Sequence, residues 1–193
     1  VAISADGAYL VAGDETYIYL FNLSRANNNM LWSYNPGSAV VLVAISPDGE
    51  RIAAATRSGN LLMWERGVSD PLWSYTDAAA ISDLAFCLDG DWLAAATPGG
   101  ALVFNSNSNN PALEFPVGTA FSAVAAHPEG KLFAAGTEAG DLYLLNRVNG
   151  SAAWTRSLEG EIASLTFNGG GSHLLAGTAG KQLTLLATGN GEP

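Results

Sequence analysis

Residues 43–55 read Val-Ala-Ile-Ser-Pro-Asp-Gly-Glu-Arg-Ile-Ala-Ala-Ala, and a phrase of this kind occurs five times in the 193-residue chain. Its central glycine returns at intervals of 40 to 42 residues, at Gly7, Gly49, Gly90, Gly130 and Gly171. In each phrase a short apolar stretch meets a turn, and a second apolar stretch follows, which is typical of a β-hairpin. Proline presets φ in such a turn, aspartate caps the backbone, and glycine tolerates a positive φ. The phrase therefore predicts five evenly spaced hairpins.

Outward from each hairpin, a second turn leads to a third apolar stretch, as at residues 61–64. A polar connection then leads to a fourth stretch that carries aromatic residues, as in Leu72-Trp73-Ser74-Tyr75. Each unit of about 41 residues is thus predicted to be a four-stranded antiparallel meander. The predicted repeats are approximately 1–36, 37–76, 77–117, 118–158 and 159–193, and the last of them lacks a fourth strand.

An all-β protein is expected, because turn signals interrupt the chain too often for the long helices of two-helix repeats. A small twisted sheet cannot bury both faces alone, so consecutive meanders must stack as the blades of a β-propeller. The tryptophans recur at equivalent positions and are predicted to fill the gaps between blades. Propellers close at about 4 to 8 blades. We therefore expect these five repeats to form part of a larger propeller, with a five-bladed ring as the alternative, and we expect residues 1–193 expressed alone to associate.

Two families resemble this pattern. Ser46-Pro47-Asp48-Gly49, the alanines and threonine that follow, and Trp64-Glu65 at the end of the third stretch resemble the WD-repeat propellers. The segment from Gly140 to Asn146, followed by Trp154, resembles the quinoprotein-like (PQQ-like) propellers. The repeats are divergent, since only one third strand ends in tryptophan and none ends in the aspartate of the WD pair. Both resemblances imply a propeller, and neither implies a catalytic residue or a cofactor in this chain.

Composition narrows the classes of function. The chain is 48% hydrophobic and 13% charged, and its net charge is −10. That apolar content supports a folded core, and the negative charge would repel a phosphate backbone, so nucleic acid is not an expected partner. No run approaches eighteen apolar residues, so this segment is not expected to insert into a membrane.

The search for chemistry finds little. Cys87 is the single cysteine, and His127 and His173 lie in or beside hairpin turns without a second ligand at metal-binding spacing. No nucleophile or phosphate-binding motif is present. The repeated acids Asp6, Asp48, Asp89 and Glu129 occupy turn-capping positions. We predict no enzyme activity, no cofactor and no metal site.

The remaining candidate for a functional site is the surface of the protein. The turns between second and third strands share one propeller face with the connections between blades, and that face forms a candidate binding rim of six acids and one base. Its residues are Asp14, Glu15, Arg57, Asp77, Glu138, Glu159 and Glu161. Such a rim favours a basic segment of a partner.

Two glycosylation sequons begin at Asn22 and Asn149, and with only two lysines in the chain they favour a cell-surface or secreted protein, with the cytoplasm as the alternative.

We therefore expect a non-catalytic scaffold that presents its loop faces to a protein, with a glycan as the other candidate partner. Two further interpretations stay open. The segment could belong to a propeller enzyme whose catalytic or cofactor residues lie outside it, or it could be a structural subunit of a larger assembly that uses exposed blade edges.

Overall fold

The computed structural model describes residues 1–24, 29–77 and 79–193, and all regular structure in these ranges is β-strand. The strands form five separate antiparallel sheets that follow one another along the chain. Each sheet is a simple meander, so sequential strands are hydrogen-bonded neighbours. The predicted all-β fold built of four-stranded antiparallel blades is confirmed.

The five sheets, here called blades 1 to 5, have the following bounds. Blade 1 contains β1 (Ala2–Ile3), β2 (Tyr9–Gly13), β3 (Ile18–Asn22) and β4 (Asn29–Tyr34). Blade 2 contains β5 (Val40–Ile45), β6 (Arg51–Thr56), β7 (Asn60–Glu65) and β8 (Trp73–Thr76). Blade 3 contains β9 (Asp83–Phe86), β10 (Trp92–Thr97), β11 (Gly100–Asn105) and β12 (Pro111–Phe115). Blade 4 contains β13 (Phe121–Ala126), β14 (Leu132–Thr137), β15 (Asp141–Asn146) and β16 (Ser151–Ser157). Blade 5 contains β17 (Ile162–Phe167), β18 (His173–Thr178) and β19 (Leu183–Ala187).

The hairpin between the first two strands of a blade is held by its own side chains. In blade 2 the Ser46 hydroxyl donates to Asp48 Oδ1 at 2.5 Å, and that carboxylate accepts the Glu50 N–H at 3.0 Å. The Arg51 N–H in turn donates to Ser46 Oγ at 2.9 Å. All five hairpin glycines have a positive φ, between 64° and 73°. The turn chemistry expected from the repeated phrase is therefore present.

Neighbouring blades stack through apolar faces, and one hydrophobic cluster fills each of the four junctions. At the junction of blades 1 and 2, Trp32 lies stacked on the fully buried Trp64, with ring centroids 5.8 Å apart. The small residues Ala53, Ala54 and Ala55 of β6 are completely buried and allow the two flanking blades to approach closely. The tryptophans thus occupy the inter-blade positions predicted for them.

A hydrogen bond accompanies this stacking at three junctions. The indole N–H of Trp32 donates to the carbonyl of Arg66 at 2.9 Å, that of Trp73 to Ser106 at 2.8 Å, and that of Trp154 to Thr188 at 2.9 Å. In each pair the donor is on the fourth strand of one blade and the acceptor follows the third strand of the next. The buried indole therefore has its polar group satisfied while its ring fills the gap.

The outward faces of blades 1 and 5 are more exposed than the faces that lie between neighbouring blades. None of the four clusters joins blade 5 to blade 1. Val1 and Ile3 are exposed on blade 1, and Leu175, Leu183 and Leu185 are exposed on blade 5. Within the described residues, blade 5 has three strands where each of the other blades has four.

Candidate functional site: an acidic rim on one side of the blades

The rim residues predicted from the sequence lie on segments that the backbone ties together. In blades 2, 4 and 5 the turn between the second and third strands is hydrogen-bonded to a connection between blades. The Arg57 N–H donates to the carbonyl of Ala39, the Glu138 N–H to Ala120, and the Ala179 N–H to Glu161, all at 2.8 to 3.0 Å. These bonds place the turns and the connections on the same side of the blades.

The rim acids fall into two kinds. Asp14 and Asp77 serve their own loops: Asp14 Oδ1 accepts the N–H groups of Thr16 and Tyr17 at 2.6 and 2.7 Å, and Asp77 Oδ1 accepts the Ala79 N–H at 3.2 Å. The backbone bonds from Tyr17 and Thr16 hold the pKa of Asp14 below its ordinary value. These two carboxylates are fixed parts of the rim.

The other rim acids are exposed, and their carboxylates accept no hydrogen bond from the described residues of their own loops. Glu15, Glu138, Glu159 and Glu161 all have exposed side chains. Glu138 and Glu159 lie on two segments that are joined by the hydrogen bond from the Leu158 N–H to the carbonyl of Gly140 at 2.9 Å. The acids therefore concentrate where blades 4 and 5 meet.

The sequence analysis missed one charge on this rim. Lys181 lies in the turn between β18 and β19, beside the segment that Ala179 bonds to Glu161, and it is exposed. Its φ is 65°, in the left-handed region that glycine normally takes, and the turns of blades 2 and 4 do have glycine there, at Gly59 and Gly140. Aligning the three turns would have revealed it. The rim therefore carries six acids and two bases.

Charge on the rim is not neutralised by ion pairs within the described residues. The three salt bridges found there are Arg66 with Glu50, Lys131 with Glu129, and Arg156 with Glu192. None of the three involves a rim residue: the first two join residues at the hairpin ends of their blades, and the third joins β16 to the segment that follows β19. The rim carboxylates are therefore not paired with a base in the described part of the chain.

A cleft of about 350 Å³ opens among the inner strands of blades 3 to 5. Its one acid is Asp83, whose Oδ2 accepts the Val124 N–H of the next blade at 2.9 Å and whose Oδ1 accepts the Leu84 N–H at 2.9 Å. Burial raises the pKa of this carboxyl, while its backbone bonds oppose the rise. Both carboxylate oxygens accept backbone N–H groups, so Asp83 links the inner strands β9 and β13. Nothing in its sequence position had singled it out.

The side chains of Cys87 and His127, candidates for a nucleophile and a metal ligand, form hydrogen bonds within hairpin turns. Cys87 takes the position of Ser4 and Ser46: its thiol donates to Asp89 Oδ1 at 2.8 Å and accepts the Trp92 N–H at 3.2 Å. Burial raises the pKa of this thiol to about 12, so the nucleophilic thiolate is absent at neutral pH. His127 Nδ1 accepts the Glu129 N–H, and its ring meets the edge of Phe167. Across residues 1–24, 29–77 and 79–193, no group of three or more potential metal ligands comes together.

The two sequons lie on the side opposite the rim. Asn149 is exposed in the turn before β16, and its Oδ1 accepts the Ser151 N–H and hydroxyl at 3.1 and 2.8 Å. Asn22 is half-buried at the end of β3, and its Oδ1 accepts the Ser24 N–H. The connection beyond Ser24, and Ala78 of the loop after β8, lie outside the described residues. No helix in the described part of the chain has the length and apolar character needed to span a membrane.

Comparisons with known proteins bear on the fold. No protein-family model and no curated protein matches this chain. A chain in a solved structure titled "Crystal Structure of Mitotic Checkpoint Complex" is similar to it, with a TM-score of 0.81 and 17% sequence identity over 97% of this chain. The match covers 60% of that chain, so the present sequence spans less than two thirds of its length. At this identity the likeness concerns the fold alone, and this chain has the fold of a WD-repeat-like β-propeller.

Proposed function

We propose that this chain is a non-catalytic scaffold whose acidic rim binds a basic segment of a partner protein. The observation that carries the proposal is the set of exposed carboxylates on the rim, none of which takes part in an ion pair among the described residues. Propellers of the WD-repeat type commonly serve as protein-binding scaffolds, and their rigid blades hold loops in fixed positions. That general use supports the proposal.

A basic partner follows from the electrostatics. A surface with several unpaired carboxylates attracts cations and steers the association of positively charged ligands. The net charge of −10 acts in the same direction over longer distances and disfavours nucleic acid. Aromatic platforms favour a glycan partner, and the described tryptophans all pack between blades. A protein partner is therefore the version that we propose.

The test is binding of a fluorescein-labelled peptide of alternating arginine and glycine, measured by fluorescence anisotropy. The rim variant combines Glu138→Lys, Glu159→Lys and Glu161→Lys. The control variant combines Glu65→Lys, Asp70→Lys and Asp91→Lys, which are exposed residues at the opposite side and give the same change in net charge.

We expect the rim variant to bind the peptide at least tenfold more weakly than the parent chain in low salt, and the control to bind within about threefold of it. Binding by the parent should weaken as salt is raised, because exposed charges are screened. Equal losses in the two variants would show that only net charge matters and would overturn the proposal.

We further propose that the protein works outside the cell. The sequon at Asn149 supports this location, since its acceptor is exposed and lies away from the rim, so a glycan there would leave the binding face free. Expression through a secretory pathway, followed by enzymatic removal of N-glycans and mass measurement, tests the proposal. An unmodified Asn149 in that material would contradict it.

A further inference from the structure

The cavity of about 350 Å³ among β9, β13 and β17, here called the inner cleft, holds a carboxylate that no base accompanies. Asp83 is the one charged side chain among the described residues that line it. Burial and two backbone hydrogen bonds act on the pKa of this carboxyl, and no neighbouring charged side chain contributes. A negative charge that is partly removed from water without a counter-ion is unfavourable. The inner cleft therefore favours a positive charge beside Asp83.

The propeller fold does not require an acid at this position of the repeat. The equivalent residues of blades 2, 4 and 5 are Leu42, Ala123 and Ser164. Inner strands also join without a carboxylate: the Ser122 hydroxyl on β13 donates to the carbonyl of Ile162 on β17 at 2.7 Å. Asp83 thus departs from the repeat where the other blades need no charge. A partly buried acid that the fold does not need is a candidate for a functional group.

The Asp83 carboxylate keeps acceptor capacity for a ligand. A carboxylate has about four acceptor positions on its two oxygens. The N–H groups of Val124 and Leu84 occupy one position on each oxygen, both at 2.9 Å. These bonds also hold the side chain in one orientation, so a ligand does not have to order it on binding.

The rest of the inner cleft is mostly apolar, and small side chains widen it next to Asp83. Ala85 lies on the same face of β9 as Asp83, because side chains alternate along a strand, and Ala126 of β13 packs in the same hydrophobic cluster as Ala85. Phe86 lines the cleft about 10 Å along β9 from Asp83. The volume corresponds to about a dozen water-sized groups. The cleft therefore suits a ligand with one charged end and a compact apolar body.

We propose that the inner cleft binds a small organic cation, with an ammonium group at Asp83 and an apolar body of about ten non-hydrogen atoms. The ammonium donates to the carboxylate, and the body covers Ala85 and Ala126. A primary alkyl amine carries its positive charge at neutral pH, as lysine does. A lysine side chain of a partner would fill less than half of the cleft, so the occupant is a free amine. This inference does not depend on the acidic rim.

The charged end of the inner cleft lies inside the array of blades. On one side β9 contacts β5, and on the other it contacts β13, which in turn contacts β17. Asp83 and its partner Val124 therefore belong to blades 3 and 4, which have described neighbours on both sides. A strand or blade added beyond blade 5 would lie against the far face of that blade and would leave the contacts between β9 and β13 unchanged.

The test titrates the full chain with 4-fluorophenethylamine at pH 7 and follows the fluorine resonance by NMR. The matched probe is 2-(4-fluorophenyl)ethanol, which has the same body without the charge. We expect the amine to bind at least tenfold more tightly than the alcohol, because an ion pair that is partly shielded from water is stronger than a neutral hydrogen bond. An alcohol that binds as tightly as the amine would overturn the proposal.

Two competitors define the apolar body and the source of the amine. Ethylamine should displace the fluorinated amine at least tenfold more weakly than phenethylamine does, because it lacks the ring that covers the alanines. Equal displacement by the two amines would contradict an apolar subsite. A capped Gly-Lys-Gly peptide that binds as tightly as phenethylamine would overturn the choice of a free ligand.

Asp83→Asn assigns the binding to this carboxylate, since asparagine keeps the size and one acceptor oxygen but removes the charge. The matched control is Glu114→Gln, at an exposed residue on the outer strand of the same blade. We expect Asp83→Asn to bind the amine no more tightly than the alcohol and Glu114→Gln to bind it as the parent chain does. Equal binding of the amine by Asp83→Asn and the parent would overturn the proposal.

A readout on the parent chain keeps the proposal testable if Asp83→Asn does not fold, which binding of the arginine-glycine peptide to the rim would reveal. The backbone amide resonance of Val124, whose N–H donates to Asp83, should shift when the amine is added and stay in place with the alcohol. An amide of Val124 that does not respond to saturating amine would place the amine elsewhere and contradict the inference.

Discussion

The junctions inside the array and the two outer faces use the same repeat positions in different environments. Met63 of blade 2 and Leu185 of blade 5 are equivalent in their third strands, yet Met63 is completely buried against blade 3 and Leu185 is 54% exposed. The same holds for Trp64 and Phe21, of which only the first is fully buried. The repeat therefore specifies which residues are apolar, and the presence of a neighbouring blade decides what those residues contribute to stability.

The largest expected difference tests this directly. Met63→Ala should lower the free energy of unfolding by about 2 to 5 kcal/mol, because it removes buried atoms and leaves a cavity. Leu185→Ala should cost less than about 1 kcal/mol, because its side chain already contacts water. Urea titrations followed by tryptophan fluorescence measure both. Similar losses in the two variants would mean that something covers the outer face of blade 5.

A second pair compares two hairpin glycines with the same φ of 71°, Gly7 and Gly171. Alanine at either position must take the left-handed conformation, at about 1 to 2 kcal/mol. A Cβ at Gly171 also collides with the ring of His127 in the preceding blade, whereas a Cβ at Gly7 meets no described atom within 4 Å. We therefore expect Gly171→Ala to be the more destabilising by about 1 to 3 kcal/mol.

Thermal unfolding of the two glycine variants gives the comparison, and a double-mutant cycle with His127→Ala locates its cause. The excess cost at Gly171 should largely disappear when the imidazole is removed. An excess that persists without His127 would assign it to the turn itself, and the inter-blade explanation would then be wrong.

The smallest expected effect concerns Cys87, which occupies the turn position of Ser4 and Ser46. Cys87→Ser should change stability at pH 7 by no more than about 0.5 kcal/mol, since serine supports the same turn in blades 1 and 2. The pKa of the native thiol is raised to about 12, so above the ordinary thiol pKa the unfolded chain releases a proton that the native chain retains. Stability should therefore fall as pH rises from 8 to 10, and fall less in Cys87→Ser.

Denaturant unfolding at the two pH values measures this difference. The comparison between variants is needed because burial also raises the pKa of Tyr75 and Tyr143, which adds to the decline at high pH in both chains. An identical decline in the two chains would mean that the Cys87 thiol ionises as easily in the native state as in the unfolded one.

Much of the fold could be predicted from sequence because its signals are local. The turn from Ser46 to Gly49 and the strand pattern around it need only neighbouring residues to be recognised. The indole bonds could not be predicted, since the acceptor of Trp73 is a backbone carbonyl 33 residues away that no side chain marks. Asp83 escaped for the same reason, because its partner is the Val124 N–H in another blade.

The rim could be predicted from the sequence only in part. Its residues follow from which loops share a side, and the backbone bonds of Arg57, Glu138 and Ala179 hold three of those loops together. The base at Lys181 was not among the predicted rim residues; glycine takes the same left-handed position in blades 2 and 4, and in blade 5 the glycine, Gly180, lies one residue earlier. Which partner the rim binds is a property of that partner as much as of this chain, so it stays a proposal.

The indole bonds at the junctions all run in one direction, from the fourth strand of one blade to the chain that follows the third strand of the next. The array of blades therefore has a direction, because each of these indole donors points from one blade to the next blade along the chain. Duplicating a whole unit of about 41 residues that carries such a tryptophan would keep donor and acceptor facing each other, whereas a change of a few residues within a unit would misalign them. A change in the number of blades is therefore compatible with these contacts only in steps of a whole unit.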